Sequence, residues 1–571
     1  MRALRIGSAL IAIIGIGLGC WLIALNGDAY DALVERFYGY GFLQSYSDKL
    51  PLPSRWQLAL SALLWILIAA AITWIPRMAV TLHNSLLGSW RLCRDAMRGT
   101  CARMPLWERT WFVAVGVGCT MLRSYFAATD PPVFDEALNW LLFAERGPLV
   151  SLTWYAAPNN HIAATTLTAI VGLLPMDPLV ALRAPAVIAA LLLQVALYVL
   201  LRRFCSPMAA VLASAFAIAS PMMLYYDHVG RGYVWVALAF AIAMGAALKW
   251  LLARDERGLW LTSLACIAGT FVMPSFLYAF AGLFIALLIL DRERRRVLNA
   301  ALWSIFGIAA LHAPALIVSG MGAFVDNQWV RPVGMAEVAR AWWPHFNRTF
   351  EGLTGVPRGF VIVLLLIGVC MGMARKRMLS VAAMVAIVVG WALLVPFIHG
   401  VLPFERTWIF LIAPLALAVT LVVDRSLARF RAPQLVIPVA IALIMFQTMR
   451  VREALPALER DAYRVMEATA SLQVEQPERI RAWAQPLSTY LFFAWKRGLL
   501  PKGCDFDFSS TTEVEPGTYV VGRKNEFDPG RGDRMVFTYE GADAIWRTGP
   551  KPQGSLPRSA SPKVIRITRQ P

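Results

Sequence analysis

Two adjacent carboxylates, Asp135 and Glu136, are the residues of this chain best suited to do chemistry. They lie a few residues beyond an apolar stretch, Trp111–Ala128, so they are expected at a membrane surface rather than within a bilayer. A carboxylate at such a boundary can have a pKa suited to proton abstraction, because burial and charged neighbours both change that pKa. The alternative is structural, since acidic residues are favoured where a helix begins, here a helix over Glu136–Ala144.

A second group of polar residues surrounds Arg231, which has a glycine on each side. A guanidinium offers two parallel donors to a phosphate, and glycine allows an anion to approach the backbone. His228 and Tyr233 are close to this arginine in the sequence and can donate hydrogen bonds to the same ligand. The pattern predicts a phosphate site, although an ordinary turn with interfacial tyrosines would have a similar composition.

Two further polar pairs lie at the ends of apolar runs. Glu405 and Arg406 precede a late run, where Arg406 could contact the phosphate while Glu405 holds it in place. An arginine at a helix end can equally extend toward the headgroups with no further role. Asn160 and His161 precede another run and are expected to line the site, with His161 capping a helix rather than acting as the base.

These residues must be positioned by a membrane-spanning framework. Of 571 residues, 58% are hydrophobic and 16% are charged. Soluble proteins contain roughly 45–50% apolar and about 25% charged residues, so the chain is predicted to be an all-α polytopic membrane protein. The net charge of +18 does not indicate nucleic-acid binding, because Lys and Arg cluster in short loops between apolar runs.

A spanning helix needs about 20 mostly apolar residues, and this rule predicts about 13 spans. They cover residues 6–25, 57–75, 110–128, 184–201, 208–223, 234–252, 259–273, 276–290, 298–318, 359–374, 379–398, 406–423 and 434–448. Basic residues fall in every second loop when Arg2 and Arg5 are placed inside, so the N-terminus is predicted to be cytoplasmic and the C-terminus periplasmic. The short apolar run Ile162–Leu174 is expected to lie along the outer surface, since counting it as a span would break this alternation.

The sequence divides into four parts. Residues 1–104 are expected to hold two N-terminal spans and a basic cytoplasmic linker, and residues 105–448 the transmembrane module with its external loop 129–183. Residues 449–550 are predicted to form a small extracytoplasmic α+β domain, because Pro and Gly punctuate short strand-like pieces there. Residues 551–571 are rich in Pro, Ser and Arg and are expected to be disordered.

Together these motifs resemble those of the GT-C membrane glycosyltransferases, specifically the family 39-like group with the protein O-mannosyltransferases and the lipid A aminoarabinose transferases. The similarity covers Pro105 to Asp424. It rests on an acidic pair after a span, an Asn-Asn-His late in the first large external loop, an Arg-x-Tyr after the next helix pair, and an arginine before a late span. In this chain these are Asp135 and Glu136, Asn159 to His161, Arg231 with Tyr233, and Arg406.

The resemblance implies a GT-C-like helix bundle in the bacterial cytoplasmic (inner) membrane, with its site on the periplasmic side. It implies a polyprenyl-phosphate-linked sugar as donor and a glycan, lipid or protein as acceptor, with inversion at the anomeric carbon. Asp135 would deprotonate the acceptor hydroxyl with support from Glu136, while Arg231, helped by Arg406, would bind the donor phosphate. No cofactor is required, a divalent metal is left open, and Asp227 is a candidate ligand for the sugar or for that metal.

Two other functions fit parts of the sequence. A lipid-linked-sugar transporter or flippase would place ionisable residues near the bilayer midplane, whereas the span interiors here contain few. A non-catalytic envelope assembly protein would be indifferent to replacement of Asp135. The sugar, the lipid length, the acceptor and the oligomeric state do not follow from the sequence.

Overall fold

The fold is known from a computed structural model, which describes seven long segments of the chain and several short C-terminal pieces. The long segments are residues 2–38, 52–130, 132–325, 332–355, 358–373, 378–427 and 436–454. The short pieces are residues 480–482, 492, 496, 519–523, 534–538 and 543–547. The predicted tail 551–571 and most of the predicted domain 449–550 lie outside the described residues.

The long segments are almost entirely helical, as their composition predicts. The described residues contain twenty α-helices: α1 (Arg2–Ala24), α2 (Gly27–Tyr38), α3 (Arg55–Trp74), α4 (Pro76–Arg103), α5 (Leu106–Thr129), α6 (Phe134–Asn139), α7 (Pro148–Thr153), α8 (Ile162–Val171), α9 (Pro178–Arg202), α10 (Pro207–Ile218), α11 (Pro221–Tyr226), α12 (Tyr233–Ala253), α13 (Glu256–Val272), α14 (Leu277–Leu290), α15 (Arg294–Val325), α16 (Met335–Thr354), α17 (Arg358–Met373), α18 (Leu379–His399), α19 (Ile412–Leu427) and α20 (Val436–Ala454). Trp140–Ala144 forms a π-helical turn, and Pro274–Phe276 and Glu405–Leu411 form 3-10 turns.

Six helical segments among the described residues are long and apolar enough to cross a bilayer. They are α5, α9, α12, α15, α18 and Glu405–Arg425, which contains most of α19. A helix overlaps each predicted segment, but several are short, so the total of about 13 spans stays a prediction. The predicted segment 208–223 is divided between α10 and α11, because Pro221 begins α11 and Ser220 caps it, with Ser220 Oγ accepting from Met223 N at 3.2 Å.

Helices α6, α7 and α8 and the π-helical turn form a layer at one end of the bundle. The layer is held by buried aromatic side chains, including Trp140, Phe143 and Trp154, and by a hydrogen bond from Thr165 Oγ1 to Asn139 Oδ1 at 3.0 Å. Helix α8 has ten residues, which is too short to span a bilayer. Six of the ten are buried, so α8 is packed into this layer, and its expected position along the outer surface of the membrane stays a prediction.

The N-terminal helices and one C-terminal residue, Phe492, pack on this layer, which is called the site layer below. Tyr38 at the end of α2 shares a hydrogen bond of 2.8 Å with Thr153 Oγ1 in α7. Phe492 is buried with its ring centroid 6.2 Å from that of Trp140. Lys496 Nζ lies 2.5 Å from Asp177 Oδ2, just before α9.

Four short strands lie in the C-terminal part: β1 (Ile480–Ala482), β2 (Tyr519–Arg523), β3 (Arg534–Thr538) and β4 (Asp543–Arg547). They form one sheet in the order β1-β2-β4-β3, with β1 parallel to β2 and the other pairs antiparallel. The segments that join them lie outside the described residues, so the α+β domain stays a prediction.

Candidate functional site

The polar residues that the sequence singles out come from four separate elements. Asp135 and Glu136 lie in the first turn of α6, and residues 227–232 connect α11 to α12. Residues 159–161 immediately precede α8, and Arg406 lies in the 3-10 turn before α19. These elements meet where the site layer covers the ends of the long helices.

The Asp135 carboxylate lies between two guanidinium groups. Its Oδ2 is 3.2 Å from Arg406 Nη2 and 3.7 Å from Arg231 Nη2. One third of the Asp135 side chain is exposed (33%), so a hydroxyl group from outside can reach it. Two positive charges therefore lie beside a carboxylate that is open to the outside.

Arg231 is only 4% exposed and makes most of its contacts with the protein. Nη1 donates to the backbone oxygens of Asp135 at 3.1 Å and Asn159 at 3.0 Å, and also to Asn159 Oδ1. Asn159 Nδ2 in turn donates to the Asp135 backbone oxygen at 2.8 Å. Arg231 therefore fixes the backbone of Asp135 and presents one edge to its carboxylate.

Arg406 is the more accessible of the two arginines, with 28% of its side chain exposed. Its Nε donates to the Tyr233 hydroxyl at 2.7 Å, and its guanidinium lies 4.2 Å from the centre of the Phe404 ring. The neighbouring Glu405 does not hold it. Glu405 Oε1 accepts instead from Arg348 Nε at 2.7 Å.

Glu136 faces the opposite way from Asp135 and is fully buried. Its two carboxylate oxygens accept from Arg183 Nε and Nη2, both at 2.7 Å, in a bidentate pair that is 1% and 0% exposed. The carboxylate also accepts from the backbone N–H groups of Gly230 at 2.6 Å and Val133 at 3.2 Å. With four donors directed at it, Glu136 joins α6 to α9 and to the turn that carries Arg231.

Asp227 and His228 form a second buried group. Asp227 Oδ2 accepts from Arg123 Nε at 2.6 Å, and Oδ1 lies 3.0 Å from His228 Nδ1. His228 Nε2 lies 3.4 Å from Asp130 Oδ2. Burial lowers the pKa of His228, but its hydrogen bonds to Asp130 and Asp227 outweigh burial, so the net shift of the pKa is upward.

The electrostatic surroundings of His161 are the opposite of those of His228, because a cation rather than a carboxylate lies beside its ring. Its Nδ1 accepts from the Gly232 N–H at 2.7 Å, and its Nε2 lies 3.2 Å from Arg231 Nη2. Burial, and then the charges of Arg231 and Arg406, hold the pKa of His161 well below its usual value. The ring is therefore neutral at neutral pH and acts as an acceptor.

Two crystal structures of ArnT from Cupriavidus metallidurans have a similar fold. The apo structure matches at a TM-score of 0.52 and 14% identity, and the structure bound to undecaprenyl phosphate at 0.54 and 13%, each over 78% of this chain and 100% of that chain. The chain has an ArnT-like fold. At this identity the likeness shows the fold alone, which is all-α and polytopic as the composition predicts.

The other comparisons add less. The cryo-EM structure of the arabinosyltransferase EmbB from Mycobacterium smegmatis has a TM-score of only 0.37 at 16% identity, over 65% of this chain and 34% of that chain. No family model and no curated protein matches the sequence.

Within this ArnT-like fold, some of the expected residues meet and others do not. Asp135, Arg231, Tyr233 and Arg406 come together around one carboxylate. Asp227 and His228 are engaged with Arg123 and Asp130 instead. In the part of the chain that the structure describes, no group of three or more His, Cys, Asp or Glu is arranged to hold a metal ion.

The three residues before α8 have other roles than expected. His161 does not cap α8 with its side chain but accepts from Gly232. Asn160 is buried, and its Nδ2 donates to the backbone oxygens of Ser151 at 2.9 Å and Trp154 at 2.8 Å, so it holds the end of α7. Asn159, to which the sequence assigned no separate role, contacts Arg231, as His161 does.

Arg183 and Arg123 are the functional candidates that sequence reasoning missed. Both lie within apolar helices, α9 and α5, where the sequence predicts only spans or their edges. A single buried arginine in an apolar run requires an acidic partner. That rule could have directed attention to Glu136 and Asp227.

The glycines around Arg231 allow protein groups, rather than an anion, to come close. A Cβ atom on Gly230 would lie 2.6 Å from the Leu182 backbone oxygen. A Cβ atom on Gly232 would lie 2.9 Å from His161 Nδ1. Close packing, not ligand access, thus requires glycine at both positions.

Proposed function

We propose that this protein transfers a sugar from a polyprenyl-phosphate-linked donor to an acceptor hydroxyl at the outer face of the bacterial cytoplasmic membrane. The observation that carries this proposal is the partly exposed Asp135 carboxylate, 3.2 Å from Arg406 and 3.7 Å from Arg231. A base and two fixed cations at one point suit a reaction in which a hydroxyl loses a proton while a phosphate gains charge. The likeness to ArnT, one structure of which contains undecaprenyl phosphate, supports a polyprenyl phosphate as the donor lipid.

In the proposed reaction, Asp135 takes the proton of the acceptor hydroxyl. The hydroxyl oxygen forms a bond to the anomeric carbon of the sugar as the bond from that carbon to the lipid phosphate oxygen breaks. The configuration at the anomeric carbon is inverted. The departing phosphate leaves as an anion beside the guanidinium groups, so no separate acid is needed.

The contacts assign different roles to the two arginines. Arg406 is 28% exposed and can turn part of its guanidinium toward an arriving phosphate. Arg231 is 4% exposed and is engaged with Asp135 and Asn159, so it positions the base and adds positive charge behind the phosphate. Glu136 acts through Arg183 and Gly230 as a positioning residue, not as a second base.

The orientation of the chain is part of the proposal. The N-terminus lies in the cytoplasm and residues 449–550 lie in the periplasm, where they could select a glycan, lipid or protein acceptor. A transporter or flippase is less well supported, because the buried charges near the site, such as Arg123 and Asp227, are paired with each other.

The proposal is tested with radiolabelled polyprenyl-phosphate sugars supplied to membranes that contain the wild type, Asp135→Asn or Asp31→Asn. Asp31 is exposed on α2 and provides the same chemical change away from the site. We expect label transfer from one donor of the panel with the wild type and Asp31→Asn, and a loss of about 10²–10⁴-fold with Asp135→Asn, the usual contribution of a general base. Equal transfer by Asp135→Asn would end the catalytic assignment, and translocation of the lipid-linked sugar without transfer would favour the flippase.

A further inference from the structure

Helix α4 lies at the opposite end of the bundle from Asp135 and has no part in the proposed reaction. Helix α12 begins in the site at Tyr233 and ends at Ala253, about 30 Å away at 1.5 Å per residue. The next helix, α13, begins there, and its Arg257 Nη1 lies 3.4 Å from Asp95 Oδ2 of α4. Arg257 also lies beside Gly88 in α4.

The two connections of α4 place it beside the membrane. Helix α3 ends at Trp74 and helix α5 begins at Leu106, and both of these apolar side chains are exposed. Because α5 is apolar and long enough to cross a bilayer, the residues before it lie at a membrane boundary. Helix α4 has 28 residues, or about 42 Å, and so extends along that boundary.

Three different faces run along α4. One face is buried against the protein and contains Ser85, Ser89, Leu92 and Thr100. The adjacent face is apolar but exposed and contains Leu86, Trp90 and Met97. The face beyond it is basic and contains Arg91, Arg94 and Arg98. The members of each face are three, four, seven or eight residues apart, which places them on one side of a helix.

We propose that α4 lies in the headgroup layer and binds anionic phospholipids through Arg91, Arg94 and Arg98. A helix with exposed Trp, Leu and Met beside a row of arginines has the pattern of an interfacial helix, with its apolar side chains in the acyl boundary and its cations at the phosphates. Trp90, at 66% exposure, is at the centre of the apolar face. Asp95 is shared between Arg94 and Arg257 and offsets only part of the positive charge of the basic face.

Charge decides which lipid is bound. A zwitterionic headgroup has no net charge for three guanidinium groups to neutralise, whereas an anionic headgroup does. Each Arg near an anionic surface contributes about fivefold to binding, so three contribute up to about a hundredfold. The inference concerns lipid binding alone and does not depend on the proposed transferase activity.

The experiment titrates the purified full-length protein in detergent with phosphatidylglycerol or phosphatidylcholine and counts bound lipids by native mass spectrometry. We expect the variant R91Q/R94Q/R98Q to bind phosphatidylglycerol at least about tenfold more weakly than the wild type, with no change for phosphatidylcholine. The charge-retaining variant R91K/R94K/R98K should stay within about threefold of the wild type, because the lipid interaction depends mainly on net charge. Arg340→Gln, which removes an exposed arginine of α16, is the control for loss of charge elsewhere.

A second measurement needs no variant. Phosphatidylglycerol binding to the wild type should weaken as salt rises to about 0.5 M, because exposed charges are screened. Unchanged binding by the glutamine variant, equal loss in the lysine variant, or insensitivity to salt would each overturn the proposal.

Discussion

Two acid–arginine pairs a few ångströms apart have contrasting surroundings. The pair Asp135–Arg406 is 33% and 28% exposed, and Arg231 lies beside it. The pair Glu136–Arg183 is 0% and 1% exposed and is saturated with donors. The open pair can exchange its partners for those of a substrate, whereas the sealed pair can only hold the backbone in place.

The contrast arises because the two carboxylates are one residue apart on the same helix. Successive positions on an α-helix point about 100° apart, so two adjacent carboxylates in the first turn of α6 face different surroundings. Asp135 faces Arg406, and Glu136 faces α9 and the Gly230 turn. In the proposed reaction, two adjacent acidic residues therefore have different roles: Asp135 takes the proton and Glu136 supports the backbone.

The largest effect is expected from removing the arginine of the buried pair Glu136–Arg183. Arg183→Met leaves a buried carboxylate without its cation and should lower the free energy of unfolding by about 3–5 kcal/mol. The measurement is the thermal unfolding midpoint in detergent. Adding Glu136→Met should recover part of the loss, because an apolar pair replaces an unpaired charge. A single variant as stable as the wild type would show that the pair does not support the fold.

A smaller effect, on ligand binding rather than on stability, is expected from replacing Arg406 in the partly exposed pair. Arg406→Gln should weaken the binding of undecaprenyl phosphate by about tenfold or more, because a charged hydrogen bond contributes about 1.5–3 kcal/mol. Its thermal stability should change little, since the side chain is partly exposed. Binding can be followed by native mass spectrometry, with Arg348→Gln as the control. Equal weakening by both variants would argue against a direct contact between Arg406 and the phosphate.

The smallest effect concerns pH and the buried group beside the two pairs. The folded protein raises the pKa of His228 above its usual value, so the imidazolium stabilises the fold below the unfolded pKa. This stability is lost as pH rises through the raised pKa. We expect the thermal midpoint of the wild type to fall over this range more steeply than that of His228→Gln. Parallel pH profiles would contradict the assignment of a charged ring.

The sequence predicted the helices well, because apolar runs correspond to helices and basic residues mark the loops between them. It also singled out Asp135, Arg231 and Arg406, which the structure places side by side; their role in a site stays a prediction. The pairings were harder to predict, because partner choice depends on contacts between distant positions: Glu136 and Arg183 are 47 residues apart, and Arg123 and Asp227 are 104 apart. Asn159 and Asn160 are adjacent in a loop, yet their contacts differ. A loop has no helical periodicity, so the sequence does not indicate which side chain faces inward.

The packing of the site layer has a consequence for the order in which the protein matures. The layer is contacted by Tyr38 and by Phe492, so it joins early and late parts of the polypeptide. During synthesis, Asp135 and Arg231 are made hundreds of residues before Phe492. The layer therefore reaches its final packing only when the chain is nearly complete. A chain that stops before residue 492 should be cleaved faster between residues 140 and 177 in limited proteolysis, and equal cleavage would show that the late residues do not secure it.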